Sequence, residues 1–311
     1  MARQQVSSVG ICIATLDRPA QLAQLLSALG RLNPLADADG SFLDVVVAVA
    51  DNDPAGSAKP IVDGVGDEYP HRVLYQQVRE PGVVYARNAS ILLAGDVDWL
   101  AFIDDDEVPA QDWLTQLLRT AIDNNAAVVA GPVPEHFEGA APPWYLDAGL
   151  DLPETQPTGS SIKRFGVGNA LICSAALQDL AGPFDVRFNL TGGEDVHLGF
   201  LLQQRGHQMV WCEDAVATTL VPVERTEFRW VMRRHFNAHR NYSRALRLTT
   251  GKRSWGEVSR SFARLLEALF WGTAGVLRRD RGSLAKSAHL GAGALGKFAG
   301  TFEVTSRTTW W

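Results

Sequence analysis

Cysteine is scarce: the 311 residues hold only Cys12, Cys173 and Cys212. They stand far apart, with no CxxC spacing, which argues against a disulfide framework and against a zinc site. Each falls in an apolar run, as buried inert thiols do in a reducing cytoplasm. No run of about 18 apolar residues is present to cross a bilayer as a helix. The opening residues, MARQQVSS, lack the apolar core of a secretory leader. No internal repeat is found. Basic residues are few in the first 224 positions, where 12 Lys and Arg face 30 Asp and Glu. From residue 225 onward the balance reverses to 17 against 5. An acidic body of this kind speaks against nucleic acid as a partner. A basic tail speaks for an anionic partner or surface.

What is present is an alternation of strands and helices. VGICIAT (9–15) reads as a buried strand, and RPAQLAQLLSALG as a helix with Pro19 in its first turn. DVVVAVADND, RVLYQQV and DWLAFIDDDE read as further strands, with GVVYARNASILLAG and PAQDWLTQLLRTAIDNN as helices. AAVVAGPV and HQMVWC complete the strand set. This order predicts an α/β fold with a mostly parallel central sheet and helices on both faces. In such sheets ligands bind beyond the carboxyl ends of the strands. Thr15, Asp51 and the acids after FI are expected to share that rim. Residues 134–165, rich in Pro, Gly and Ser and containing APPWYLDAG, read as a mobile loop over it.

Two motifs carry chemistry. FIDDDE (102–107) places Asp104, Asp105, Asp106 and Glu107 together, and like charges do not crowd for stability alone. Oxygen ligands of this kind suit a divalent cation; the plain alternative is a solvated acidic loop. In GGEDVHLGFLLQQRG, Gly192 and Gly193 precede Glu194 and Asp195 at a helix start. Acids there also compensate the helix dipole, worth about 0.3–1 kcal/mol. The dipole accounts for one acid but not for two flexible glycines beside it.

In their order, ATLDRP, VADNDP, ARN (86–88), FIDDDE, VGNALI and GGEDVHLGFLLQQRGHQ resemble family 2 glycosyltransferases with the GT-A fold, over roughly residues 7–220. The resemblance implies a Rossmann-like nucleotide-diphospho-sugar transferase domain over 1–224. Its donor half would span about 1–133 and its acceptor half about 134–224. It implies a UDP-sugar donor, glucose by default, and Mg²⁺ or Mn²⁺ on Asp106 and Asp104. It places Thr15, Asp51, Arg87 and Asp104 at the nucleotide, with Asp51 accepting from the base. Asp195 would be the general base of an inverting transfer that forms a β-linkage, with Glu194 orienting the acceptor. Asn169, Gly193, Trp144 and Arg225 would lie on the acceptor or sugar side. His197 is read as an ordinary helix residue rather than a metal ligand.

The segment ERTEFRWVMRRHFNAHRNYSRALRL (224–248) interleaves Arg and His with aromatics along one helix. The tail is similar to that of the ExoM-like subgroup of bacterial exopolysaccharide enzymes. That similarity implies a peripheral enzyme on the inner face of the cell membrane and a saccharide acceptor, lipid-linked on a polyprenyl diphosphate or soluble. Residues 225–311 are therefore expected to form a helical, basic, membrane-surface region. Arg225, Arg233 and Arg234 would meet anionic lipid or the acceptor diphosphate. The later segments FARLLEALFWGTAGVL and LAKSAHLGAGALGKFAGTFE fit peripheral docking better, with small-residue packing on a partner helix as the alternative. A sugar nucleotidyltransferase would want a Gly-rich basic loop after the first strand, which ATLDRPAQ is not. A glycoside hydrolase needs only two carboxylates. A non-catalytic carbohydrate- or nucleotide-binding protein is the remaining alternative.

Overall fold

A computed structural model describes residues 6–34, 43–150 and 155–302. MARQQ of the leader reading, part of the Pro/Gly/Ser-rich stretch and Glu303 of the last helical segment lie outside the described residues. In chain order the strands are β1 (Ser8–Thr15), β2 (Asp44–Asp51), β3 (Arg72–Gln77), β4 (Trp99–Ile103), β5 (Glu107–Pro109), β6 (Val128–Ala130), β7 (Glu135–Phe137), β8 (Asn169–Cys173), β9 (Met209–Trp211) and β10 (Ala217–Val221). The helices are α1 (Pro19–Leu29), α2 (Lys59–Asp63), α3 (Val83–Ala94), α4 (Trp113–Asp123), α5 (Pro143–Asp147), α6 (Ser174–Leu177), α7 (Glu194–Gln204), α8 (Phe228–Thr250), α9 (Trp255–Arg278) and α10 (Arg281–Thr301).

The chain divides into two units. The first comprises Met1–Pro134, Glu154–Asn189 and Leu201–Thr219. Its seven-stranded sheet runs β3-β2-β1-β4-β8-β6-β9. Every pairing is parallel except those of β8, which is antiparallel to both β4 and β6. The near-continuous apolar runs of β1 and β2 suit strands covered on both faces, and Ile11, Ile13 and Val46–Val49 are all inaccessible. The helix α3 packs on β1, β2 and β3, and α4 on β6 and β8. Cys12, Cys173 and Cys212 are buried free thiols.

The strand expected over DWLAFIDDDE stops at Ile103. The three aspartates leave the sheet in a turn closed by the Glu107 N–H on the Asp104 carbonyl at 3.1 Å. Mutual repulsion of the carboxylates, and the gain from leaving them partly solvated, favour that exit. Glu107 then opens β5, which pairs antiparallel with β10.

The second unit comprises Glu135–Pro153, Leu190–Phe200 and Leu220–Trp311. The stretch read as an irregular loop contains β7 and α5. Trp144 and Phe228 meet edge-on with ring centroids 5.1 Å apart, and the Tyr145 hydroxyl donates to Glu135 at 3.2 Å. The helix α10 packs on both α8 and α9. Gly296 and Gly300 allow this: a Cβ there would lie 2.2 Å and 2.0 Å from the carbonyl oxygens of Phe236 and Arg240. Of the two expectations for the Gly/Ala-rich segment, helix-on-helix packing is the one α10 fulfils. Ser254 and Asp280 cap α9 and α10, each accepting from backbone N–H groups of the first turn.

Candidate active site

In the first unit β1, β2 and β4 end at one rim. Thr15 stands opposite Asp51 in the parallel register. The Thr15 hydroxyl donates to Asp105 Oδ2 at 2.8 Å. Arg18 Nη1 donates to Asp105 Oδ1 at 2.8 Å and to Asp106 Oδ2 at 3.0 Å. Arg87, in the second turn of α3, donates to Asp104 Oδ1 at 3.0 Å, and its guanidinium lies 5.9 Å from the Phe184 ring centroid. Two guanidiniums therefore hold the three aspartates. Arg18 carried no role in the sequence; its place in ATLDRP, just before a Pro-initiated helix, is the only sign of it.

The four acids are not equivalent. Asp105 and Glu107 are buried, whereas Asp104 and Asp106 keep partly exposed side chains. Burial pushes the Asp105 carboxyl upward, opposed by the Arg18 charge and the bonds from Thr15 and Arg18. Burial, reinforced by the Asp104 charge, holds Glu107 well above the usual carboxylate range. Asp105 is thus a structural tie, and Asp104 and Asp106 are the outward acids.

The antiparallel strand β8 begins where the parallel strands end, with Asn169 opposite Ile103. Gly168 just before it touches the acid run: a Cβ there would lie 2.6 Å from Glu107 Oε1 and 2.8 Å from Asp104 Oδ2. Only glycine fits. Asn169 itself faces inward. It accepts from Trp113 Nε1 at 2.7 Å and donates to the carbonyls of Pro132 and Ala215 at 2.9 and 2.7 Å. Its amide stitches three segments together, a positioning role at the start of β8.

Asp51 is tied into the protein in the same way. Its side chain is fully buried. Oδ1 accepts from the Asp53 N–H at 2.9 Å; Oδ2 accepts from the Ala58 N–H at 3.0 Å and the Tyr75 hydroxyl at 3.1 Å. No exposed oxygen remains for a base. Asp51 shapes the loop after β2 instead. Asn52 beside it donates to the Val78 and Glu80 carbonyls and accepts from the Gly82 N–H at 2.6 Å.

The oxygen-only donors at the rim fit a hard divalent cation. Among the described residues no group of three or more His, Cys, Asp or Glu is arranged to hold a metal. An ion here would rest on Asp104 and Asp106 together with phosphate oxygens of a ligand, the mode usual for Mg²⁺.

In the second unit Glu194 and Asp195 open α7. The turn before them is left-handed at Gly192 and Gly193, with φ of 72° and 91°. A Cβ on Gly193 would lie 2.7 Å from Asn241 Cβ of α8. The Asn241 amide donates to the Thr191 carbonyl, and Arg244 donates to the Thr191 hydroxyl at 2.6 Å. Asp195 Oδ1 accepts from the Val196 N–H at 2.7 Å. Glu194 and His197 are buried. Trp144 packs on Phe228, and the guanidiniums of Arg225 and Arg234 lie 6.0 and 5.4 Å from the Trp230 ring centroid.

The profile of a family described as "Glycosyltransferase like family 2" matches residues 7–240. The chain is 32% identical to the succinoglycan biosynthesis protein ExoM of Rhizobium meliloti, across 96% of this chain and 97% of that protein. It is 31% identical to the pre-mycofactocin glycosyltransferase of Mycobacterium tuberculosis, over 58% of this chain and 39% of that one. Among solved structures, a Pyrobaculum calidifontis mannosyltransferase, in complex with GDP-Man and Mn²⁺, matches with a TM-score of 0.64 at 17% identity. That match covers 93% of this chain and 86% of the other. GalNAc-T7 with UDP, GalNAc and Mn²⁺ matches with a TM-score of 0.55 at 14% identity, over 78% and 48% of the two chains. The last two likenesses concern the fold, which is GT-A.

Proposed function

The chain belongs to the glycosyltransferase-like family 2, and from that premise we propose a metal-dependent, inverting transfer of a sugar, glucose by default, from a UDP-sugar to a saccharide acceptor. The observation that carries this reading is the strand-end rim: two outward aspartates, two guanidiniums and a glycine that clears space beside them. Family membership sets aside the nucleotidyltransferase, hydrolase and non-catalytic alternatives.

Asp104 and Asp106 would hold Mg²⁺ or Mn²⁺. A bound divalent ion supplies an offset for the negative charge that develops on the leaving diphosphate. Arg18 and Arg87, which hold the acids here, are placed to turn to phosphate oxygens once the acids are otherwise neutralised. Thr15 and Asp51 fix the loops that border the nucleotide. Asp195 takes the proton of an acceptor hydroxyl as that oxygen attacks the anomeric carbon. The new C–O bond forms as the bond to UDP breaks, on opposite faces, so an α-linked donor gives a β-linked product. Carboxylates are weak bases for an alcohol, so the proton moves late in the displacement. Glu194 orients the acceptor, and the Gly192–Gly193 turn sets both acids.

The family relative named for succinoglycan biosynthesis supports an acceptor of the exopolysaccharide class, and the resemblance of the basic tail suggests that it is carried on a polyprenyl diphosphate. Residues 1–224 would then act as the transferase body, with 225–311 facing the acceptor at an anionic membrane surface on the cytoplasmic side. Trp144 and Arg225 are assigned to that acceptor side, and no nucleic acid is involved.

The test is release of UDP from a panel of UDP-sugars, with Mn²⁺ and with EDTA. Release that needs metal and one sugar, and that Asp195→Asn abolishes while UDP binding persists, is the expected result. Release unaffected by Asp195→Asn would remove the base from the scheme.

A further inference from the structure

Packed on α10, α9 turns its apolar side outward. Its small and polar residues Ser261, Ala268 and Gly275 are buried against α10. Ser287 of α10 donates to the Ala268 carbonyl at 2.7 Å, and Lys297 pairs with the buried Glu257 at 2.7 Å. These contacts fix which side faces inward. The opposite side carries Trp255, Phe262, Leu266, Leu269, Phe270 and Leu277, all exposed. Their spacing puts them on one stripe of a 3.6-residue helix. Six large apolar side chains left in water each forgo about 1.5–3 kcal/mol of burial, and such a face marks a docking surface.

Charge selects the occupant. Arg278 flanks the stripe and Lys252 and Arg253 precede it, all three exposed, while Arg260 is paired with Glu257 and Glu267 is the one exposed acid of α9. The segment 225–311 carries 17 Lys and Arg against 5 Asp and Glu. A long apolar stripe with a cationic border fits an anionic lipid surface. Among the described residues no helix is long and apolar enough to cross a membrane. The stripe would therefore lie in the plane of the interface, along about 33 Å of helix.

We propose that the outward face of α9 seats this protein on an anionic bilayer by burying Trp255, Phe262, Leu266, Leu269, Phe270 and Leu277 among the lipids. This deepens the membrane-side acceptor reading above and rests on it only for its biological purpose. In α8, by comparison, Asn237, Arg240, Asn241 and Ser243 are buried while Arg233 and Arg234, expected to meet anionic lipid or the acceptor diphosphate, are exposed and can add to the same contact.

The test is co-sedimentation of the full chain with vesicles of phosphatidylcholine, alone or mixed with phosphatidylglycerol, at low and high salt. Light scattering without lipid accompanies it. The wild type is expected to sediment with the anionic vesicles, less so at high salt. The quadruple variant Phe262→Ser, Leu266→Ser, Leu269→Ser and Phe270→Ser should lose about tenfold or more of that binding, with helical circular dichroism and metal-dependent UDP binding unchanged. Wild-type protein left in the supernatant, or a variant that sediments equally, overturns the proposal. So does a wild-type dimer that the variant converts to monomer without any vesicle binding, which assigns the face to a second copy. If UDP binding fails while vesicle binding stands, the transferase reading falls and this one does not.

Discussion

Burial pushes the Asp105 carboxyl upward, and the Arg18 guanidinium at 2.8 Å opposes that push. Removing one partner of such a pair leaves an uncompensated, largely buried charge, at about 3 kcal/mol. Arg18→Met is therefore expected to melt well below the wild type. Mn²⁺ should restore more of the variant's melting temperature than it adds to the wild type, because it replaces the missing cation. Equal shifts in a thermal-shift titration would contradict the placement of metal at these acids. Asn169→Ala tests a different kind of residue. It strands the Trp113 indole N–H and weakens the satisfaction of two buried carbonyls, for a loss of about 3 kcal/mol, read as a shift in the denaturant midpoint. A fall in transfer without that shift would return Asn169 to the sugar side. The acid run was legible in the sequence because four adjacent carboxylates need an explanation. Arg18, and the inward turn of Asp51 and Asn169, were not. A residue type at a strand end does not reveal which neighbours its polar atoms meet, and those neighbours lie up to 90 positions away in Thr15–Asp105 alone.

At the scale of elements, strand–helix alternation was enough to place the parallel sheet, since apolar runs and glycine or proline boundaries are local signals. The reversed strand β8 was not legible. Its pattern is that of any buried strand, and its direction depends on the long path into it. The start of α7 depends on α8, because the Thr191–Gly193 turn is held by Asn241 and Arg244. Gly193→Ala adds strain at φ of 91° and a collision with Asn241. Under the proposed role of Asp195 as the base, its misplacement is expected to cost about a hundredfold in kcat, with UDP affinity unchanged. Loss of UDP affinity instead would show that the turn serves the donor. Where α8 and α10 meet, His235 stacks on His289 with ring centroids 3.4 Å apart and has His239 at 4.4 Å. Burial first, then His289, His239 and Arg264 of α9, push His235 down to about 2. Its folded value lies below its unfolded one, near 6.5. The stability it confers is thus complete above pH 6.5 and is lost as pH falls below that, by up to about 1.4 kcal/mol per pH unit. His235→Leu should flatten the melting temperature between pH 6.5 and 4.5. An unchanged slope would place the acid sensitivity elsewhere.

At the scale of the molecule, the sequence divides by charge near residue 225, whereas the structure divides by contacts. The second unit draws in Glu135–Pro153 and Leu190–Phe200 along with the basic tail. Charge is read along the chain, but contacts such as Trp144 on Phe228 join segments far apart in it, so no composition boundary could announce them. The outward aspartates belong to the first unit and Asp195 to the second. Under the roles proposed for them, donor binding and proton removal are expected to separate under mutation. The most direct measurement is calorimetric titration of UDP into the wild type and Asp106→Ala, with and without Mn²⁺. Binding that requires Mn²⁺ in the wild type and disappears in Asp106→Ala is the expected result. Equal UDP binding by both proteins, or none by the wild type under any metal condition, would contradict a metal-dependent donor site at the rim.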